Sequence, residues 1–345
     1  MKHTSLIKKL SVVLAAAMLM GMTACGGTEK PSESSTETVT EAATENVTES
    51  ATEAGTVSGD DVIIEPLSKP YYEHSELEDV TAVSDNKYSC KYEGVSHEFI
   101  LYLPDTDRCV PVVLMLHGYG ESAEKFRDTS HFEEDALPEG YAVCYVTGAP
   151  NPYDATSSNG WNSGIAADGN DDVAFLFALT DYLRLNYNID DEKLYAVGFS
   201  NGAFMIHRLA VEAGYMFTGL VSVAGKMPES IWEKRDLPDS TYTNFFQVTG
   251  SKDDVVPLNS SGTAKYAKDP AIEDVISYWV ERAGIENPPE ESWYNTKSLL
   301  SKYQKGRSTV IWNLLIDGGR HSWPDEQIIK ININKLILEF FNEIV

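Results

Sequence analysis

The chain has 345 residues, 42% of them hydrophobic, with a formal net charge of −26 at pH 7. This length is enough for one large core, and the acidic excess argues against nucleic acid and anionic membrane surfaces as partners. Four cysteines are too few for a disulfide framework, and neither an H-E-x-x-H motif nor paired-cysteine metal spacing occurs. We therefore expect no metal and no cofactor.

Residues 1–24 predict a lipoprotein signal peptide. Three lysines and no acids occur here, and the apolar run from Leu10 to Met22 is too short to span a bilayer comfortably. Small residues immediately before Cys25 resemble a bacterial lipobox, although leucine is commoner at position 22. We expect Cys25 to be lipidated, which would hold the protein outside the cytoplasm on the bacterial cell membrane. The alternative is an ordinary signal peptide cleaved near Ala24. Removal of the three lysines takes the net charge from −26 to −29.

Residues 25–70 predict a disordered acidic tether. Glutamate recurs at every fourth position from Glu29 to Glu53, mostly after Thr or Ser. A helix would stack these like charges, and the segment offers almost nothing apolar to bury. As a random coil the tether spans roughly 35 Å. A helical stalk is the alternative.

Residues 71–345 predict one α/β domain. Apolar or alternating runs indicate strands at 88–92, 97–103, 110–116, 141–146, 194–197, 220–223, 245–248, 297–302 and 310–316. Helical patterns begin at 171–172 and cover 203–212, 272–283 and 326–342. Strands that alternate with helices indicate a mostly parallel sheet covered on both faces, and ligands of such sheets bind at the carboxyl ends of the strands.

The segment Gly198-Phe199-Ser200-Asn201-Gly202 predicts a nucleophile. It lies where an apolar strand meets a helical run, and a serine on such a sharp turn exposes its hydroxyl. The flanking glycines fit because the turn has unfavourable backbone angles and no room for side chains. A serine hydroxyl is a poor nucleophile, so Ser200 needs a base, and that base needs an orienting acid.

The expected base is His321, in a glycine-flanked loop after the last core strand. Of the other histidines, His117 begins a glycine-rich loop and is expected to be structural, and His207 is expected to be a packing or surface residue. The remaining histidines lie in the signal peptide, before the sheet core or in a polar loop. The position of His321 and the lack of a rival select it as the base.

The acid follows the penultimate core strand. Asp253 and Asp254 are adjacent there, so spacing alone does not choose between them, and Asp317 is a third candidate. The loop Leu116 to Gly120 follows the first buried strand. We expect its Tyr119 N–H and the Asn201 N–H to form an oxyanion hole, with a plain glycine-rich turn as the alternative.

Most of residues 88–345 resemble the α/β-hydrolase fold, and within it the secreted feruloyl esterase, acetyl xylan esterase and polyhydroxybutyrate depolymerase-like group. The matching segments are 116–120, 160–162, 171–175, 198–203, 250–257 and 321–324. The resemblance implies that Asp253 is the acid, since it is the third residue after the glycine. Arg320 departs from the pattern, in which glycine commonly precedes the histidine, and is expected to alter the pocket rim.

Some other signals have plainer explanations. The run from Asp168 to Asp172 resembles the start of a calcium loop but lacks its glycine and glutamate, so helix capping by Asp171 or Asp172 explains it better. Trp161 and Trp323 are candidate substrate-binding residues, with packing as the alternative.

The sequence thus predicts a monomeric serine esterase that forms an acyl-enzyme. The expected substrates are feruloyl or acetyl esters of plant cell-wall xylan, with polyhydroxybutyrate or short acyl esters next. A serine peptidase of the same fold and a non-catalytic sugar-binding lipoprotein are the rival hypotheses. We expect a small-molecule or polysaccharide ester as partner, contact with the membrane only through the lipid anchor, and no nucleic acid.

Overall fold

The computed structural model describes residues 72–150, 158–164, 169–237, 241–259, 266, 268–294, 297–306 and 309–344. The expected signal peptide, the Cys25 lipidation site and the tether lie outside these ranges. Within them, no helix has the length and apolar character needed to cross a membrane.

The described strands form one mixed sheet. They are β1 (Glu78–Ala82), β2 (Lys87–Tyr92), β3 (Val95–Tyr102), β4 (Val110–Leu116), β5 (Ala142–Thr147), β6 (Ile189–Phe199), β7 (Gly219–Val223), β8 (Asn244–Gly250), β9 (Glu290–Tyr294), β10 (Ser298–Lys305) and β11 (Thr309–Ile316). Their order across the sheet is β1-β2-β3-β5-β4-β6-β7-β8-β11-β10-β9. The six central strands, from β5 to β11 in this order, pair in parallel, and the flanking pairs are antiparallel.

Helices cover both faces of the sheet. They are α1 (Ala123–Ser130), α2 (Phe132–Ala136), α3 (Asp172–Asn186), α4 (Asn201–Glu212), α5 (Glu229–Trp232), α6 (Ile272–Arg282), α7 (Glu326–Ile329) and α8 (Ile333–Glu343). Strand β4 shows why two layers form: Val112 and Leu114 pack into the core with α3, α4 and α6, whereas Val113 and Met115 pack into the core with α1, α2 and α8. A strand buried on both faces reads as one continuous apolar run, as this one does.

The parallel centre puts the carboxyl ends of β4, β6, β8 and β11 at one edge of the sheet. The loops after these strands carry Tyr119, Ser200, Asp253 and His321. The fold therefore gathers residues that are more than 200 positions apart in the chain.

The C-terminal segment differs from what the sequence predicts. The C-terminal helix expected over 326–342 is two helices, because Lys330 adopts a φ of 61° between α7 and α8. Cys90 and Cys144 are buried free thiols.

Candidate active site

Ser200 lies on a strained turn between β6 and α4. Its φ is 51° and its ψ is −114°, outside the regions that non-glycine residues normally occupy. The turn is also tight. A Cβ at position 198 would lie 2.2 Å from the carbonyl oxygen of Gly202, and one at position 202 would lie 2.1 Å from that of Leu116. Only glycine fits at these two positions, which explains the G-x-S-x-G spacing.

A chain of hydrogen bonds runs from Ser200 through His321 to Asp253. Ser200 Oγ lies 2.8 Å from His321 Nε2, and His321 Nδ1 lies 2.9 Å from Asp253 Oδ2. The Asp253 side chain is fully buried, and its Oδ1 accepts the backbone N–H groups of Val255 at 3.0 Å and Val256 at 2.7 Å. Backbone donors favour the ionised carboxylate. This carboxylate can keep the proton of the neutral imidazole on Nδ1, which leaves Nε2 free to accept the serine proton.

The other two candidate acids lie elsewhere. Asp254 is exposed. Asp317 is exposed as well and lies 3.7 Å from the ammonium of Lys297. The structure therefore brings Asp253, and neither of its two rivals, to the imidazole of His321.

His117 shapes the loop after β4 and has a structural position, as the sequence suggests. Its Nε2 accepts the N–H of Gly148 at 2.9 Å, so Nδ1 carries the proton that is donated to the Gly118 carbonyl at 2.6 Å. Burial lowers the pKa of His117 to about 4, so the ring is neutral at physiological pH. The indole N–H of Trp161 donates to the His117 carbonyl at 3.0 Å.

Tyr119 and Asn201 come together at this edge of the sheet. A Cβ placed on Gly160 would lie 3.2 Å from both the Tyr119 ring and Asn201 Oδ1, so both side chains converge on the Gly160 backbone. The Asn201 side chain accepts the Trp161 N–H at 2.7 Å and donates to the Trp161 carbonyl at 3.2 Å. The backbone N–H of Asn201 opens α4, where the first-turn N–H groups have no partner within the helix.

The structure adds a buried polar anchor that sequence reasoning missed. Asp172 Oδ2 accepts the Asn162 N–H at 2.6 Å, and Arg208 on α4 donates to the Asn162 carbonyl at 2.6 Å. Burial raises the pKa of Asp172 to about 7. These bonds fix Asn162 against the start of α3 and against α4, the helix that begins beside Ser200. The only sequence signal was that both 160–162 and 171–175 match the resembled family. Asp171 caps α3 through the Ala174 N–H at 3.2 Å.

The two tryptophans are largely inside the protein. Trp161 is 5% exposed and Trp323 is 8% exposed, and the Trp323 ring packs edge-on against Phe126 and Phe199. This burial favours the packing alternative over substrate binding for both residues.

A cavity of about 620 Å³ borders the loop that carries His321. Arg320 and Ser322, which flank the histidine, are among its lining residues.

In the part of the chain that the structure describes, no cluster of three or more His, Cys, Asp or Glu residues could hold a metal ion.

Comparisons with known proteins place this geometry in a family context. The model of the esterase PHB depolymerase family matches residues 97–229. The acetyl xylan esterase from Aspergillus awamori superposes with a TM-score of 0.53 at 15% identity, over 78% of this chain and 100% of that one. The chain has an α/β-hydrolase fold.

Curated relatives of this chain are named esterases. The esterase NocK of Nocardia uniformis subsp. tsuyamanensis is 28% identical over 234 residues, which are 62% of this chain and 65% of the relative. Feruloyl esterase C of Aspergillus clavatus is 26% identical over 258 residues, 72% of this chain and 86% of that protein. The fold class and the family resemblance predicted from the sequence are confirmed, and these relatives support a carboxylic ester hydrolase.

Proposed function

We propose that the protein is a serine esterase in which Ser200 is the nucleophile, His321 the general base and Asp253 the acid that orients it. The observation that supports these roles most strongly is the hydrogen-bonded chain from Ser200 Oγ to Asp253 Oδ2 on a strained turn. Strain of this kind persists only where the surrounding structure enforces it, and it concentrates at functional sites.

The first half of the reaction forms an acyl-enzyme. Ser200 Oγ attacks the ester carbonyl carbon while its proton passes to His321 Nε2, and Asp253 stabilises the resulting imidazolium. The backbone N–H groups of Tyr119 and Asn201 hold the negative oxygen of the tetrahedral intermediate, and such a donor is worth roughly 3 kcal/mol. The C–O bond to the alcohol then breaks, and His321 gives its proton to the leaving oxygen.

The second half returns the free enzyme. Water attacks the acyl carbon, His321 takes the water proton, and the C–O bond to Ser200 breaks as the serine regains its proton. The products are the carboxylic acid and Ser200 in its starting state. The rigid anchoring of segment 160–162 supports this step because the oxyanion donors need fixed positions.

The proposed substrates are feruloyl or acetyl esters on plant cell-wall xylan. Support comes from the names of the relatives, which include a feruloyl esterase and an acetyl xylan esterase. The family match names polyhydroxybutyrate depolymerases, which makes a polyester or short acyl ester the second candidate. The hydrogen bonds that join Ser200, His321 and Asp253 argue against a lipoprotein that only binds sugars.

We further propose that the enzyme works outside the cytoplasm, anchored through lipidated Cys25. The apolar run and the small residues before Cys25 support this proposal. Fractionation of cells that produce wild type and Cys25→Ala tests it. Wild type is expected in the membrane fraction and the variant away from it, and an equal distribution of the two proteins would contradict the anchor.

Hydrolysis of p-nitrophenyl acetate tests the catalytic proposal. Ser200→Ala should lower kcat by about 10⁴- to 10⁶-fold, whereas the matched control Ser84→Ala, at an exposed position, should match wild type. Equal rates for wild type and Ser200→Ala would refute the proposed nucleophile. A panel of methyl ferulate, acetylated xylan and polyhydroxybutyrate then tests the substrate class, and equal rates on all three would contradict the cell-wall assignment.

A further inference from the structure

The side chain of Lys226 is buried and has no partner among the described residues. The residue is 0% exposed, and its Nζ makes no hydrogen bond within this part of the chain. Among the described lysines it alone is fully buried. Removing an ammonium ion from water is costly unless another group pairs with it. No step of the proposed mechanism uses this residue, so its burial requires a separate explanation.

Lys226 lies on the segment that leaves β7 beside the Ser200 turn. The Ser200 N–H donates to the Val223 carbonyl at 3.0 Å. Two residues later, Gly225 approaches α4 so closely that a Cβ there would lie 2.2 Å from the Cβ of Ala203. The chain therefore reaches Lys226 directly from a segment pressed against the nucleophile turn, at the carboxyl edge where ligands of parallel sheets bind.

Asp269 is the charged group that acts on Lys226. Burial lowers the pKa of Lys226, and the negative charge of Asp269 opposes that shift. Asp269 Oδ1 already accepts the Glu229 N–H at 2.9 Å, and no ion pair within 4 Å joins Asp269 to Lys226 in the described part of the chain. Lys226 thus retains hydrogen-bond donors that no carboxylate among the described residues satisfies.

We propose that Lys226 binds a carboxylate carried by the substrate, so that the enzyme prefers esters with a negative charge close to the scissile bond. This inference rests on the proposed esterase function and narrows its substrate class. The net charge of −26 would otherwise repel such esters, and a lysine on the segment beside the nucleophile turn would offset that repulsion. The carboxylate has two possible sources: the acyl group, as in a monoester of a dicarboxylic acid, or the alcohol, as in an acetylated uronic acid.

Paired substrates test the proposal and separate the two sources. The acyl pair is the 4-nitrophenyl monoester of glutaric acid against 4-nitrophenyl butyrate. The alcohol pair is acetylated methyl glucuronoside against acetylated methyl glucoside. For each pair, kcat/KM of the charged ester divided by that of the neutral ester is measured in wild type, Lys226→Met and the control Lys193→Met, which removes an exposed lysine at the start of β6.

In one of the two pairs, Lys226→Met should lower this ratio by about 10- to 100-fold, the value of one charge-assisted hydrogen bond, and Lys193→Met should leave it at the wild-type value. The pair that responds identifies the source of the carboxylate. A ratio that is the same in wild type and Lys226→Met for both pairs would overturn the proposal.

Thermal unfolding gives a second readout that does not need activity. Glutarate should raise the Tm of wild type above its value in sodium chloride of equal ionic strength, whereas dimethyl glutarate should not. The glutarate shift should disappear in Lys226→Met, or in Lys226→Gln if the methionine variant does not fold. If wild type cleaves no ester, the proposed function fails while the glutarate shift still decides the role of Lys226. Absence of a shift in wild type would count against that role.

Discussion

The strained backbone of Ser200 makes a stability prediction that is independent of any substrate. Substitution of Ser200 by glycine and by alanine removes the hydroxyl and its hydrogen bond to His321 in both cases. The two variants differ because glycine adopts a φ of 51° and ψ of −114° freely, whereas alanine retains the strain. Both variants should be inactive, and Ser200→Gly should be the more stable one.

The expected difference follows from two opposing terms. A non-glycine residue in a sparsely populated backbone region costs about 1–3 kcal/mol in the folded state. Glycine gains extra freedom in the unfolded chain, which costs about 0.5–1 kcal/mol relative to alanine. The balance favours Ser200→Gly over Ser200→Ala by about 1 kcal/mol, which corresponds to a Tm difference of about 2–4 °C.

Urea and thermal unfolding of the two variants measure this difference. Position 201 supplies the control, because Asn201 lies in α4, where alanine should be more stable than glycine by about 1 kcal/mol. The order of glycine and alanine should therefore reverse between these adjacent positions. Equal stability of the two Ser200 variants, or a more stable Ser200→Ala, would refute the claim that the turn is strained.

Three other substitutions have defined outcomes. Asp253→Asn should lower kcat by about 10⁴-fold in ester hydrolysis, because the amide cannot hold the imidazole in the productive tautomer. Gly202→Ala should destabilise the fold by about 3 kcal/mol or more in urea unfolding, because its Cβ would lie 2.1 Å from a backbone oxygen. Burial lowers the pKa of His97 to about 4 from an ordinary 6.5. The folding stability that the neutral ring contributes is therefore complete above pH 6.5 and is lost as the pH falls towards 4. Between these pH values wild type should lose about 3 kcal/mol more stability than His97→Phe, as measured by urea unfolding.

Each of these predictions has a control or a contrary result. Asp254→Asn changes an exposed neighbour and should retain wild-type activity, so equal losses in the two aspartate variants would contradict the assignment. Gly94→Ala meets no atom within 4 Å, and its cost of about 1–2 kcal/mol should come only from its φ of 78°. An unchanged pH slope in His97→Phe would show that this ring does not remain neutral on folding.

The central strands could be predicted because burial on both faces leaves a continuous apolar run, as in β4 and β5. Edge strand β1 could not be predicted, because its residues are mostly exposed. It begins with Glu78 and Asp79 and has no apolar pattern. It forms through antiparallel pairing with β2, a tertiary effect. The break in the C-terminal helix at Lys330 also lacked a glycine or proline signal.

Ser200 and His321 could be predicted as site residues because each follows a core strand of the sheet. The choice between Asp253 and Asp254 needed the family resemblance, because the loop bonds to Val255 and Val256 decide which carboxylate turns inwards. The anchoring of Asn162 by Arg208 joins residues 46 positions apart. The absence of a hydrogen-bond partner for Lys226 among the described residues likewise becomes visible only when the burial of each side chain is known.

Covalent labelling with a fluorophosphonate tests the central claim most directly, because the reagent requires an activated serine and mimics the acyl-enzyme step. Intact mass and peptide mapping should show one adduct per chain, on Ser200, with no adduct in Ser200→Ala and labelling at least about 10³-fold slower in His321→Ala. An adduct on another residue, or wild-type labelling without the imidazole of His321, would contradict the account.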